Sequence, residues 1–375
     1  MAGIYLHIPF CKSKCAYCDF FSVASTEKRE QFVEALCREM QIQKNYLQHE
    51  KVQTIYFGGG TPSMLNENQL EKILNNIHQH FNIAEHHEIT LEANPDDLSG
   101  AYLKGLINAG VNRLSIGIQS FYDDDLLLMR RKHSAKQAVK AVEKAQEAGF
   151  RNISIDLIYG LPDLTLERWE QNIKNAMELK IQHISAYHLT IEPKTLFYKY
   201  YQNNKIKLPK ENESLEQFKR LRDITAKNGF LHYEISNFAK DGFISLHNTN
   251  YWMDIKYLGL GPSAHSYNLT ARQWNISNLR AYLDGIFQGK MAIEIEKLTT
   301  NEKYNEFVIT SLRTMWGLKI EMLKNKFEEK YVNEFLKTSK KYLEKNLMQQ
   351  QMGNFSLTEE GIFISDYIIQ DFLIT

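Results

Sequence analysis

Cys11, Cys15 and Cys18 stand within the first twenty residues at C-x-x-x-C-x-x-C spacing, directly after a short apolar run at 4–8 that reads as a strand. Three thiols so close together cannot all pair with a remote partner, and the 375 residues hold only one other cysteine, Cys37. A metal or cluster site is the economical reading. Zinc requires a fourth ligand, for which His7 is the local candidate, and an iron–sulfur cube is ordinarily held by four thiolates. Three thiolates alone therefore imply a cluster with one iron left open. An open coordination position is what a catalytic or ligand-binding metal keeps and a structural metal does not. A chance grouping of buried thiols is the remaining alternative.

With an aromatic at Tyr17 between the last two cysteines, the segment resembles the signature of the radical S-adenosylmethionine (SAM) superfamily. The resemblance implies a [4Fe–4S] cluster on Cys11, Cys15 and Cys18, with the amino and carboxylate groups of SAM filling the open iron position.

Lys and Arg total 45 and so do Asp and Glu, so the formal net charge is zero and global electrostatics give no nucleic-acid footprint. A hydrophobic share of 43%, a charged share of 24% and only 7 prolines describe a folded chain with one large and one smaller domain. No apolar run approaches a membrane span, and no signal-peptide pattern is visible. Clustered thiols suit a reducing compartment, so a cytoplasmic location is expected. Cys37 falls in an amphipathic stretch with Phe32, Leu36 and Met40 on one face, and reads as core packing.

Strand-like runs at 4–8, 52–57, 88–92, 113–118, 152–157 and 183–188 alternate with helical periodicity at 69–81, 135–149 and 166–179. Such alternation predicts a parallel sheet covered by helices. Periodicity alone leaves a doubly wound open sheet and a partial barrel equally open. The family resemblance implies the second, an α/β fold with an incomplete (β/α)6 radical SAM barrel.

Polar groups recur where the strands end. Gly58-Gly59-Gly60-Thr61-Pro62 follows the second strand, and Glu92 closes the third. Gln119 ends the fourth, ahead of Arg130 and Arg131, and Asp156 interrupts the apolar fifth. A carboxylate inside a strand is costly unless it meets a ligand or a cation. Singly, each of these has an ordinary reading as a satisfied rim group. Together and in order they resemble the radical SAM branch that contains coproporphyrinogen III dehydrogenase and its heme-chaperone relatives. That resemblance implies SAM contacts from Tyr5, Tyr17, Gly59, Gly60, Thr61, Glu92, Gln119, Arg131 and Asp156, with a further contact near Thr190.

His247-Asn248-Thr249-Asn250-Tyr251-Trp252 carries a histidine beside two aromatics. Bare physics favours packing for such a segment, although imidazole is a common axial ligand of heme iron and flat rings suit a macrocycle. The segment matches the HNxxYW motif of the heme chaperones, which implies heme contacts from His247, Tyr251 and Trp252. The second residue after Cys18 is Phe20, where coproporphyrinogen dehydrogenases carry a further cysteine. Phenylalanine cannot replace a thiol in redox work. The resemblance thus implies heme as cargo and apo-hemoproteins, respiratory enzymes among them, as acceptors, with dehydrogenase activity lost. Under it, the cluster and SAM regulate heme transfer or dimerisation, and peripheral contact with a membrane stays open. A radical SAM methyltransferase or a heme-degrading relative is not excluded. The barrel and its extension are expected over 1–290, and a smaller helical domain with a winged-helix-like finish over 291–375.

Overall fold

The computed structural model describes residues 1–374. Strand β1 (Ala2–Ile8) leads through a loop to helix α1 (Arg29–Gln43), and β2 (Val52–Gly59) to α2 (Glu67–His80). Next come β3 (Ile83–Ala93), α3 (Gly100–Asn108), β4 (Arg113–Gln119), α4 (Asp123–Leu128) and α5 (Ala135–Ala148). Then follow β5 (Ile153–Tyr159), α6 (Leu166–Glu178), β6 (His183–His188), α7 (Leu196–Gln202) and α8 (Glu211–Lys227). The helix ends carry local signals that the sequence displays. Capping boxes at Asn66/Gln69 and Ser134/Gln137 open α2 and α5, and Gly149 closes α5 in the left-handed conformation.

Strands β1 to β6 lie in chain order and run parallel. A doubly wound sheet reverses its order at a switch point, and this one does not, so the winding is that of a barrel. The sheet never closes. Beyond β6 it continues antiparallel through β7 (Phe230–Glu234) and β8 (Asn237–Lys240). Beyond β1 it gains a seventh parallel strand, β9 (Lys256–Leu260), reached through α9 (Leu246–Trp252). Antiparallel β10 (His265–Tyr267), β11 (Ala271–Asn275) and, after α10 (Leu279–Phe287), β12 (Ile293–Lys297) complete twelve strands. The expected six-strand parallel set is therefore one short. The seventh pairs with β1 from far along the chain, a contact that no local pattern announces.

Side chains alternate along each strand. One set, including Ile4, Leu6, Ile55, Phe57, Leu91, Ile116, Ile155 and Ile184, packs under the helices in a fully buried core with Phe32, Leu70, Val142 and Trp169. The other set is polar and lines the concave side: Tyr5 and His7, Thr54 and Tyr56, Glu88 and Glu92, Arg113 and Ser115, Ser154 and Asp156, His183 and Ser185. Cys37 lies in α1 among the buried Phe32, Leu36 and Met40.

After β12 a second core forms around Tyr304, Leu323, Phe335, Phe355 and Phe372. It is built from α11 (Thr300–Leu312), β13 (Leu318–Lys319), α12 (Ile320–Lys326), α13 (Glu329–Glu344), the hairpin β14 (Met348–Gln351) and β15 (Asn354–Leu357), α14 (Glu359–Phe363) and α15 (Ser365–Gln370). Its opening order of helix, strand, two helices and hairpin is that of a winged helix. Because β12 pairs with β11 on the large sheet, the second core starts near Thr300, some residues beyond the expected boundary at 291. Among the described residues, no helix is long and apolar enough to cross a membrane.

One buried carboxylate ties the added lobe to the barrel. Glu39 of α1 is fully buried and accepts bonds from Tyr282 Oη at 2.6 Å, Asn275 Nδ2 at 2.6 Å and the Gly261 amide at 2.8 Å. Replacing Glu39 with Ala strands three buried donors and should cost roughly 3 kcal/mol, with Gln costing less because it retains an acceptor. Urea unfolding of the two variants measures this, and equal stability of Glu39→Ala and wild type would contradict it.

Candidate functional site

The loop from β1 to α1 carries the three cysteines over the C-terminal ends of the strands. Its two limbs are clipped together by Cys11 N–H to Val23 O at 3.0 Å and Val23 N–H to Pro9 O at 2.7 Å. Its middle is held by Ala16, which donates to Met129 O and accepts from the Phe197 amide. All three thiols are free and half-exposed. Thr61 Oγ1 donates to Cys11 Sγ at 3.5 Å, and Arg131 Nη1 to Cys15 Sγ at 3.5 Å. Burial pushes the Cys11 thiol up, and the Cys18 thiol to about 11. These thiols accordingly ionise when a metal supplies the compensating charge.

The donor set fits a thiolate-held cluster better than zinc. Among the described residues, no three His, Cys, Asp or Glu side chains converge on a single-ion site. His7, the fourth ligand that the sequence suggests for zinc, has both nitrogens engaged, Nδ1 with Tyr5 Oη at 3.2 Å and Nε2 with Phe21 O at 2.8 Å.

Beside the loop runs the glycine shelf at the end of β2. Gly59 adopts φ +104°, and a Cβ there would lie 2.7 Å from the His7 ring. At Gly60 a Cβ would sit 2.8 Å from the carbonyl oxygens of Ile8 and Phe10. Close approach of two backbone segments, and not flexibility, excludes side chains here. The shelf, the cysteine loop and the strand ends enclose one open cavity of about 880 Å³.

Two buried carboxylates face it. Glu92 accepts a bond from Tyr56 Oη at 2.8 Å, and burial, reinforced by the charge of Asp156, pushes its carboxyl up to about 7. Asp156 accepts from Ser115 Oγ at 3.2 Å and is likewise raised by burial. Arg131 is the cation at the cluster end, donating through Nη2 to Asn94 Oδ1 at 2.7 Å and Gly117 O at 2.6 Å, while its Nε stays unpartnered. Gln119 sits at φ +70° where the β4–β5 register shifts, so the chain turns its side chain into the cavity. Tyr5, Tyr17, Gly59, Gly60, Thr61, Glu92, Gln119, Arg131, Asp156 and Thr190 all line this one space, with Cys11, Cys15 and Cys18.

The HNxxYW segment lies elsewhere than a surface ligand would. Helix α9 enters the concave side of the sheet at its lower end, where Glu88 accepts the amides of Leu246 and His247 at 3.1 Å. His247 is buried, stacked on Tyr56 at 4.9 Å, with Nδ1 2.8 Å from Thr54 Oγ1 and Nε2 2.9 Å from Tyr251 Oη. Burial, aided by nearby Arg113, lowers its pKa to about 3, so it is neutral and both nitrogens are spent. As seated, both of its nitrogens are hydrogen-bonded within the protein. Of the three, only Tyr251 reaches the cavity lining, and Trp252 remains half-buried outside it.

Tyr56, Asn94, Ser115, Tyr187 and His265 also line or support the site and went unread in the sequence. The period-2 alternation of polar residues within β2, β4 and β6 was the available signal for the strand members. His265 carried none.

Thr54 Oγ1 also accepts from Asn250 Nδ2 at 3.2 Å, so one assignment satisfies the whole chain: Asn250 donates to Thr54, Thr54 to His247, and His247 to Tyr251. Thr54→Val should leave buried donors and acceptors unpaired and destabilise the protein by about 1–3 kcal/mol. Denaturant unfolding checks this, and an unchanged midpoint would show that the chain of bonds contributes nothing.

Residues 5–176 match the model of the radical SAM superfamily, and residues 298–364 that of the HemN C-terminal domain. The heme chaperone HemW of Lactococcus lactis is 35% identical over 99% of this chain and 97% of its own. Its counterpart in Bacillus subtilis is 37% identical over 100% and 99%. The solved structure of coproporphyrinogen III oxidase HemN from Escherichia coli superposes with a TM-score of 0.85 over 99% of this chain and 89% of its own, at 23% identity, a likeness of fold. With full-length relatives at this identity, the chain belongs to the HemW family of the radical SAM superfamily.

Proposed function

We propose that this protein is a heme chaperone that binds heme and passes it to apo-hemoproteins, respiratory enzymes among them, from the cytoplasm. The observation that carries the reading is similarity to the HemW relatives along nearly the whole chain. Phe20 supports it: the position where a coproporphyrinogen dehydrogenase carries a further cysteine holds a phenylalanine that is 68% exposed at the cavity mouth. An exposed ring there offers apolar surface and no thiol chemistry.

In this proposal Cys11, Cys15 and Cys18 hold a [4Fe–4S] cluster, and SAM occupies the space beside it. When bound, a cluster with one open iron supplies a site for the amino and carboxylate groups of SAM. Arg131 offsets the charge of Cys15 and is placed for a carboxylate. Gly59 and Gly60 present backbone with no side chains in the way. Glu92 and Asp156 accept from amino or hydroxyl donors and orient them, while Tyr5, Tyr17 and Tyr56 exclude water around the carboxylates. Neutral His247 braces Tyr251 and so shapes the floor of the cavity.

Glu92 makes SAM binding pH-dependent. In the free site its carboxyl titrates near 7, and it must be ionised to accept a hydrogen bond from a SAM donor. Affinity should be full above that pH and fall by up to about tenfold per unit below it. Calorimetric titration of the reconstituted protein between about pH 5.5 and 8 tests this. Glu92→Gln should flatten the profile, and a wild-type profile that is already flat would remove Glu92 from the site.

The function itself is tested on anaerobically reconstituted protein by parallel measurement of heme binding, heme transfer to an apo-hemoprotein, and decarboxylation of coproporphyrinogen III. Binding and transfer without decarboxylation are expected. Decarboxylation at enzyme-like rates, or failure to bind heme, would overturn the reading.

A further inference from the structure

Cys11 and Cys15 each receive a hydrogen bond from a side chain outside their own loop. Thr61, just past the glycine shelf after β2, donates to Cys11 Sγ, and Arg131, in the loop after α4, donates to Cys15 Sγ, each at 3.5 Å. The two donors are joined through one residue. Asn94, just past β3 and in the cavity lining, accepts from Arg131 Nη2 on Oδ1 at 2.7 Å and donates from Nδ2 to Thr61 Oγ1 at 3.3 Å.

The directions in this chain of bonds are forced. A guanidinium only donates, so Asn94 presents its carbonyl oxygen to Arg131 and its NH2 to Thr61. With its oxygen accepting from that NH2, the buried Thr61 hydroxyl turns its proton to Cys11 Sγ. Asp in place of Asn94 would offer acceptors on both sides, and Leu would offer neither acceptor nor donor. Asn94 is itself held in place. Its backbone N–H donates to Ser63 Oγ at 3.2 Å, Ser63 Oγ donates to Asp97 Oδ2 at 2.6 Å, and Asp97 pairs with Lys12, the residue after Cys11. The network that leaves the cysteine loop at Cys11 and Cys15 thus returns to it at Lys12. Hydrogen bonds and positive charge at cluster sulfurs favour the reduced form, which carries one electron more, and so raise the reduction potential.

We infer that Asn94 is a positioning residue that sets the reduction potential of the cluster, by holding Thr61 and Arg131 against the cysteine sulfurs. The inference rests on the reading of Cys11, Cys15 and Cys18 as cluster ligands and adds a control on that site, the ease with which it takes up an electron.

The test is a potentiometric titration of anaerobically reconstituted protein without SAM, with dithionite as reductant, read by the electron paramagnetic resonance signal of the reduced cluster. Asn94→Leu, close in size and unable to hydrogen-bond, should lower the midpoint. The reduced-to-oxidised ratio at a fixed poise should fall about tenfold, a shift of about 59 mV for a one-electron couple. Thr61→Val should move the midpoint the same way by less, since only the Cys11 donor is lost, and Thr61→Ser should leave it in place. Adding Asn94→Leu to Thr61→Val should shift the midpoint less than Asn94→Leu does alone, because part of its effect passes through that hydroxyl. Iron content and circular dichroism of the variants should match wild type. If Asn94→Leu holds no cluster, Asn94→Ala is measured in its place with the same expectation. A wild-type midpoint in the Asn94 variant, or shifts that add fully, would overturn the inference while leaving the cluster standing. Absence of iron in the reconstituted wild type would instead remove the cluster reading.

Discussion

Strand β1 is paired on both sides with parallel partners, β2 on one edge and β9 on the other. Everything functional depends on that double pairing. Parallel ladders fix the height at which each strand ends, so Ile8 and Gly59 finish at one level, and Gly261, just past β9, lies against the His7 carbonyl. The Gly60 amide then bonds to Ile8 O at 2.8 Å, and the cysteine loop starts against the glycine shelf with no room for a Cβ. A slip of one residue would turn Tyr5 and His7 into the helix layer and Leu6 into the cavity. The large apolar area under the helices makes that slip prohibitively unfavourable.

The concave side is polar, against the usual filling of a barrel by branched aliphatic residues. Burying so many polar groups is tolerable because they are bonded to one another in tiers. At the lower tier Thr54, Asn250, His247 and Tyr251 form one chain, and Ser154, His183 and Tyr233 another, with contacts of 2.7 and 2.8 Å. At the upper tier Glu92 and Asp156 are less well satisfied, and burial raises both carboxyls. The contrast separates the two tiers: satisfied groups rigidify the floor, and the carboxylates above keep acceptor capacity facing the cavity. Arg113 bridges the tiers, buried with two of its nitrogens unpartnered, and its charge reaches His247 below and Glu92 above.

The HNxxYW segment belongs to the satisfied tier. His247 carries no charge, and both of its nitrogens are bonded, one of them to the hydroxyl of Tyr251 at the cavity floor.

The local sequence sufficed for the cysteine loop, the glycine shelf, the six β/α units and the carboxylates at strand ends. Spacing, period-2 alternation and capping residues are short-range signals, and the strand and helix bounds they predict are met within a few residues for most elements. Glu92 and Asp156 were legible because they interrupt apolar strands, and Arg131, in the loop after α4, only through the family resemblance. Tertiary structure alone decided the rest. It placed β9 beside β1 across some 250 residues of chain, carried α9 into the barrel so that His247 became a brace, and moved the second core past β12. It also stacked His265 on Trp274 at the rim. Which partners reach the two nitrogens of His247, Thr54 on one and Tyr251 on the other, is set by long-range pairing that no window of sequence contains.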